Sequence, residues 1–259
     1  MRQQAINIES VPLQKFTIPI IPAFKAGLKE KEKEKEKEKD IIIDQDKEKE
    51  KEYGNEEELL NAKFREIAEI LNIPLQGKVD DQGRRIAIQA GVAIALIHIF
   101  ETRDLNQITR AFSQAFYLLI HHSNNEVKLL LYSQQPYKGL LRLFNHHNNL
   151  IIEDAISAIK GFLIAGANST PDSQIHPHFD AMQQHQGIER IYELFKNNQN
   201  NNIKTRAALG IGYLFRSREI HDPNMSLEII NYLREHIRDI DAWAKDNIQC
   251  AIKYISKNN

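Results

Sequence analysis

One cysteine, Cys250, stands among 259 residues. That excludes an intramolecular disulfide framework and fits a reducing compartment. Charge of one sign is also lacking, since 34 basic residues face 35 acidic ones for a net charge of −1. The basic footprint that phosphate neutralisation demands is missing, so no nucleic-acid partner is expected. Long apolar runs are absent too. The longest, "IAIQAGVAIALIHIF" from Ile86 to Phe100, is interrupted by Gln89 and His98. It falls short of the roughly 20 apolar residues that span a bilayer, and it reads as one buried helix with no membrane partner. The opening "MRQQAINIESVP" has neither a secretory apolar core nor a transit pattern, so a cytoplasmic location is expected, with the nucleus open to it. A Gly-rich phosphate loop, a nucleophile elbow and zincin spacing are all missing. Neither an enzyme nor a cofactor is expected.

What is present divides near Tyr53. Positions 29 to 52 hold nine Lys and eleven acidic residues, whereas 53 to 259 hold 22 basic and 23 acidic residues in a chain dense in Ile, Leu, Ala and Phe. The run "KEKEKEKEKEK" has a period of two, which on a helix sets opposite charges at i+3 but like charges at i+4, and these contributions largely cancel. With nothing apolar to bury, residues 1–54 are expected to be a disordered low-complexity arm. Ile41 to Ile43, or Ile18 to Ile21 between prolines, could serve there as a short linear motif. Residues 55–259 are the folding part.

Beyond Tyr53 the apolar spacing is helical. A first helix is predicted over 55–72, with Leu59, Leu60, Phe64, Ile67, Ala68 and Leu71 on one side, ending before Pro74. Pairs of segments then recur. "GVAIALIHIF", "GLLRLF", "GIERIYELF" and "IINYLREHI" are each followed, after a polar gap, by "ITRAFSQAFYLLI", "IIEDAISAIKGFLI", "IKTRAALGIGYLF" and "WAKDNIQCAIKYI". Aligning Ala111, Ala155, Ala207 and Asn247 gives spacings of 44, 52 and 40 residues. The longest gap comes from the insertion "GANSTPDSQIHPHFD". A period near 40 indicates a helical solenoid.

"GIERIYELFKNN" followed by "NIKTRAALGIGYLF" resembles an armadillo repeat, and the resemblance extends over roughly Val79 to Ser256. The last unit has little room for a separate first helix and fits a two-helix, HEAT-like unit better. The expected fold is all-α, a right-handed α-solenoid of armadillo or HEAT-like repeats behind the charged arm. Solenoids offer an extended concave surface, so a protein-binding scaffold is expected, with a protein or extended peptide as partner. Four units at about 10 Å each would take about twelve extended residues. The strip expected to bind it runs through Thr109, Ser113 and Tyr117; Glu153, Ser157 and Gly161; Thr205, Leu209 and Tyr213; and Lys245, Gln249 and Lys253. Nuclear-import adaptors of the armadillo family carry a Trp and Asn ladder there. Ser113, Tyr117, Ser157, Gly161, Leu209, Tyr213, Gln249 and Lys253 stand in its place, so their mode of recognition is not implied. Self-association is the rival expectation. Asp241, Lys245, Gln249, Lys253 and Lys257 read as a polar cap on the end helix, which favours a monomer.

The pairs His121 and His122, His146 and His147, and His176 with His178 read as solvated loop histidines, because neighbouring helix residues diverge by about 100° and cannot share an ion. No metal site is expected. Gly210, aligned with Ala158 and Cys250, reads as the point where neighbouring helices crowd too closely for a Cβ, with Gly212 toward an adjacent repeat. Leu209 and Tyr213 would either remain open to a partner or be covered by a neighbouring loop or the N-terminal arm.

Overall fold

The computed structural model describes residues 58–63, 65, 81–237 and 242–258. The charged arm and most of the helix expected over 55–72 lie outside the described residues. Among those described there is no strand. Across residues 81–257 the α-helices run in order: α1 (Asp81–Gln89), α2 (Val92–Thr102), α3 (Arg110–Ile120), α4 (Asn125–Tyr132), α5 (Tyr137–Arg142), α6 (Asn149–Asn168), α7 (Phe179–Gln184), α8 (Gly187–Asn197), α9 (Asn201–Leu214), α10 (Pro223–His236) and α11 (Ala242–Lys257).

The run read as one helix from Ile86 to Phe100 is two, α1 and α2, bent by 61°. Gly91 makes the break with φ of +88°, a conformation that carries a steric penalty for any residue with a Cβ. The same left-handed turn recurs at Gln135 and Gln186, 44 and 51 residues further on, where a glutamine occupies it. That spacing marks three units of three helices: α1 to α3, α4 to α6 and α7 to α9. A two-helix unit, α10 and α11, follows.

Contacts follow the same order. The third helices form an inner layer, with α3 against α6, α6 against α9 and α9 against α11, while α2 and α5 build the outer layer and α1 meets α4. One apolar core runs through all units, from Ile88 to Ile255. Its centre is α6, whose Ala155, Ile156, Ala158, Ile159, Phe162 and Leu163 are at most 1% exposed. Phe100 meets Phe116 edge-on within the first unit at 5.7 Å, and Phe116 meets Phe162 of the next unit at 6.4 Å. The architecture is an armadillo-like helical repeat.

Asparagines start these helices. The side chain of Asn148 accepts from the Leu150 amide, and that of Asn200 from the Asn202 and Ile203 amides. Asn200, in the Asn-rich stretch 197–202, is therefore the N-cap of α9. Three arginines close helix C-termini. Arg84 reaches the Leu118 and His121 carbonyls beyond α3, Arg142 the Phe100 carbonyl of α2, and Arg216 the Ala167, Thr170 and Gln174 carbonyls with the Thr170 hydroxyl. Each supplies positive charge and donors where a helix leaves its last carbonyls unmet.

The insertion at 166–180 is a built part of the core. His176 and His178 are 2% and 1% exposed, and His146 is 5% exposed, so these are not solvated loop histidines. His176 donates from Nε2 to the Leu163 carbonyl at 2.7 Å and accepts at Nδ1 from the His178 amide. A carbonyl can only accept and an amide N–H can only donate, so the neutral Nε2–H tautomer is set. His146 is held the same way between the Ile108 carbonyl and the Asn148 amide. His178 stacks on Tyr132 at 3.5 Å and bonds the Tyr137 hydroxyl at 2.8 Å. Among the described residues no group of three or more metal-ligating side chains occurs, and no single helix is long and apolar enough to cross a membrane.

Candidate functional site

Side chains of the predicted strip divide by helix. On α3, Ser113 is buried and donates to Asp154 Oδ2 at 2.7 Å, while Thr109 is half-buried and donates to Asn61 Oδ1 at 2.7 Å. Tyr117 keeps part of its ring in solvent and pairs with His121 Nδ1 at 2.7 Å. The open line on α3 runs through Arg110, Gln114, Tyr117 and His121, at helical spacings of four, three and four.

On α6, Glu153 and Gly161 are half-exposed, and Ser157 is buried with its hydroxyl on the Glu153 carbonyl. Lys160, seven residues from Glu153 and therefore on the same face, is half-exposed as well. On α9 the strip runs through Arg206, whose Nη1 meets Glu153 Oε1 at 3.1 Å with the two side chains 26% and 22% exposed. Thr205 turns away to the Tyr232 hydroxyl of α10, 3.1 Å distant.

Leu209 and Tyr213 are not open partner contacts. They are 4% and 5% exposed. Tyr213 donates to Asn247 Oδ1 at 2.8 Å and sets its ring edge-on to Tyr254. Gly212 explains the closure: a Cβ there would stand 2.5 Å from Ala251 Cβ and 3.0 Å from its Cα, so α11 lies directly against this end of α9. The crowding expected at Gly210 falls two residues later. A Cβ on Gly210 would meet only Leu163 Cδ1 at 3.4 Å. Lys245, Gln249 and Lys253 are exposed on α11, beyond the covered stretch.

The strip therefore lies between α3, α6 and the N-terminal half of α9. Sequence reading in steps of four from Ser113, Glu153 and Thr205 missed Gln114, Lys160 and Arg206. A step of seven, from Glu153 to Lys160 and from Tyr213 back to Arg206, would have reached the latter two.

Electrostatically the strip is strained. Burial, then the cations Arg206 and Lys128, lower the Lys160 ammonium to about 8. Burial, then His122, Arg84, Lys160 and Arg206, bring His121 down to about 4. Burial lifts Asp154 to about 6 against the opposing hydrogen bond from Ser113. These groups face along the strip instead of converging in an enclosed pocket. A separate cleft of about 250 Å³ opens on the outer side, lined by Phe144, Ile152, Leu194, Arg190 and Glu193 among others.

No family model matches the chain, and no curated protein matches it. Among solved structures it is similar to an engineered protein, 16% identical over 74% of this chain and 72% of that one, with a TM-score of 0.49. It is similar to a designed armadillo repeat protein, 12% identical over 76% and 93% of the two chains, TM-score 0.42. Another designed armadillo repeat protein, solved in complex with the peptide (KR)4, is 13% identical over 75% and 92%, TM-score 0.40.

Proposed function

We propose that this chain is a non-catalytic scaffold that holds an extended segment of a partner protein along its inner strip. One observation carries the reading. Half-exposed side chains of both characters, Tyr117, Glu153, Lys160 and Arg206, run across three successive inner helices. An extended chain suits such a strip, because its alternate side chains can enter successive gaps while its backbone bonds the polar groups.

Panning random peptides about twelve residues long against the full chain tests it. Enriched peptides should lose binding when Gln114→Ala with Tyr117→Ala trims the half-exposed strip, and keep it when Glu189→Ala and Glu193→Ala alter the exposed outer helix α8. Binding that ignores Gln114→Ala with Tyr117→Ala in a variant that melts as the parent does, or no enrichment at all, would overturn the reading.

A further inference from the structure

We infer that the strip takes an acidic segment of its partner, with carboxylates set against Arg110, Lys160 and Arg206. This rests on the scaffold reading and names the chemistry of what is held. The chain as a whole has a net charge of −1, so a local excess of cations is not a consequence of composition. Three helices bring half-exposed cations to this face, Lys128 from α4, Lys160 from α6 and Arg206 from α9, while Arg84 of α1 is buried behind it on the His121 carbonyl. Arg110 adds an exposed guanidinium at the start of the α3 line.

The acids at the same place are committed inward or sideways. Asp154 is 7% exposed and accepts from Ser113. Asp81 accepts from Arg84 and from the Asn124 amide. Glu153 engages Arg206 at 3.1 Å. Like charges drawn together in a half-buried setting oppose folding, and an arriving carboxylate would relieve them. Tyr117 supplies an amphipathic ring at the middle of the line, suited to anchoring an apolar side chain between acidic ones.

The test uses the full chain and a fluorescein-labelled peptide of alternating Glu and Ala about twelve residues long, read by fluorescence anisotropy. Gln and Lys counterparts serve as controls. The Glu peptide should bind, weaken as salt rises toward about 300 mM, and outbind both controls. Arg110→Gln with Lys160→Gln should weaken it by about tenfold or more. Lys160→Arg should keep binding, and Lys196→Gln with Lys257→Gln, both exposed and off the strip, should change it little. Thermal melts check that each variant is folded. Equal binding of all three peptides, no binding of any, or a Glu peptide indifferent to Arg110 and Lys160 overturns the inference. If the Lys peptide binds best and is lost on Glu153→Gln, the acidic inference falls while the scaffold reading stands.

Discussion

Gly212 and Gly210 are both buried and two residues apart, yet they differ in consequence. Alanine at 212 drives a Cβ against Ala251 backbone and side chain, so Gly212→Ala should destabilise by about 1 to 3 kcal/mol through overpacking. Alanine at 210 meets only the mobile end of Leu163. Gly210→Ala should be neutral or stabilise by up to about 1 kcal/mol, the helix-propensity difference. Urea titrations giving the opposite order would show that α9 and α11 do not pack as described. The sequence made it legible that a glycine here is a close approach. Which of the two is the crowded one could not be read, because they point about 200° apart and the tightness of each contact depends on the neighbouring helix, not on spacing along α9. The buried histidines were misread for a related reason: His146 and His176 each have two fixed backbone partners and His178 a tyrosine hydroxyl and ring, which no spacing rule reveals. Burial holds His176 at about 4 and His178 at about 3, below the ordinary 6.5. Between those values and 6.5 the unfolded chain binds more protons, so stability is full above about pH 6.5 and is lost as pH falls toward 4. Asp154, raised to about 6, acts in the opposite direction below pH 6, but one group opposes four, since His121 and His146 are lowered as well. The urea midpoint should fall from pH 7 to pH 5, and more shallowly in His178→Phe. An unchanged midpoint would contradict the locked neutral tautomers.

At the scale of the helix, the repeat was legible in its period and its apolar faces. Its joints were not. Each first-to-second helix joint needs a residue at positive φ, met by Gly91 in one unit and by Gln135 and Gln186 in the others. A glutamine carries no turn signal, whereas Gly139 and Gly187, which do, face close neighbours instead. Gln186→Gly should therefore stabilise by about 1 kcal/mol, since the left-handed penalty exceeds what glycine's extra unfolded entropy removes. A lower urea midpoint for that variant would rule the strained joint out. The insertion after α6 was legible only as a length. In the structure it wraps Arg216, 0% exposed, whose guanidinium bonds the Ala167, Thr170 and Gln174 carbonyls. Arg216→Lys should cost about 2 kcal/mol or more, because one ammonium cannot replace a planar fork spread over three carbonyls and a hydroxyl. Full stability in that variant would mean that the insertion does not depend on its arginine.

Across the whole molecule, units touch their neighbours and little else, so stability should be graded along the chain as in other one-dimensional assemblies. Helix α6 is packed by α3, α4, α5 and α9, whereas α11 packs chiefly on α9 and α10. Two bonds lead back from α11 to earlier units: Tyr254 donates to Asp172 Oδ1 at 3.0 Å in the insertion, and Asn258 to the Phe215 carbonyl at 3.1 Å. The same end buries Leu209 and Tyr213, the two residues that sequence reading left open to a partner. Their cover is a helix of this chain, which only the observed rotation of α9 discloses. Native-state hydrogen exchange in rising urea should show α6 amides exchanging only with global unfolding, and α11 amides at a lower opening free energy with a smaller urea slope. Asp172→Ala should lower the α11 value and leave α6 unchanged, since that bond joins α11 to the insertion and not to α6 itself. If α6 and α11 follow one isotherm, the molecule unfolds as a single cooperative block. The strip between α3, α6 and α9 would then share its fate with the C-terminal cap instead of lying on the most stable part of the solenoid.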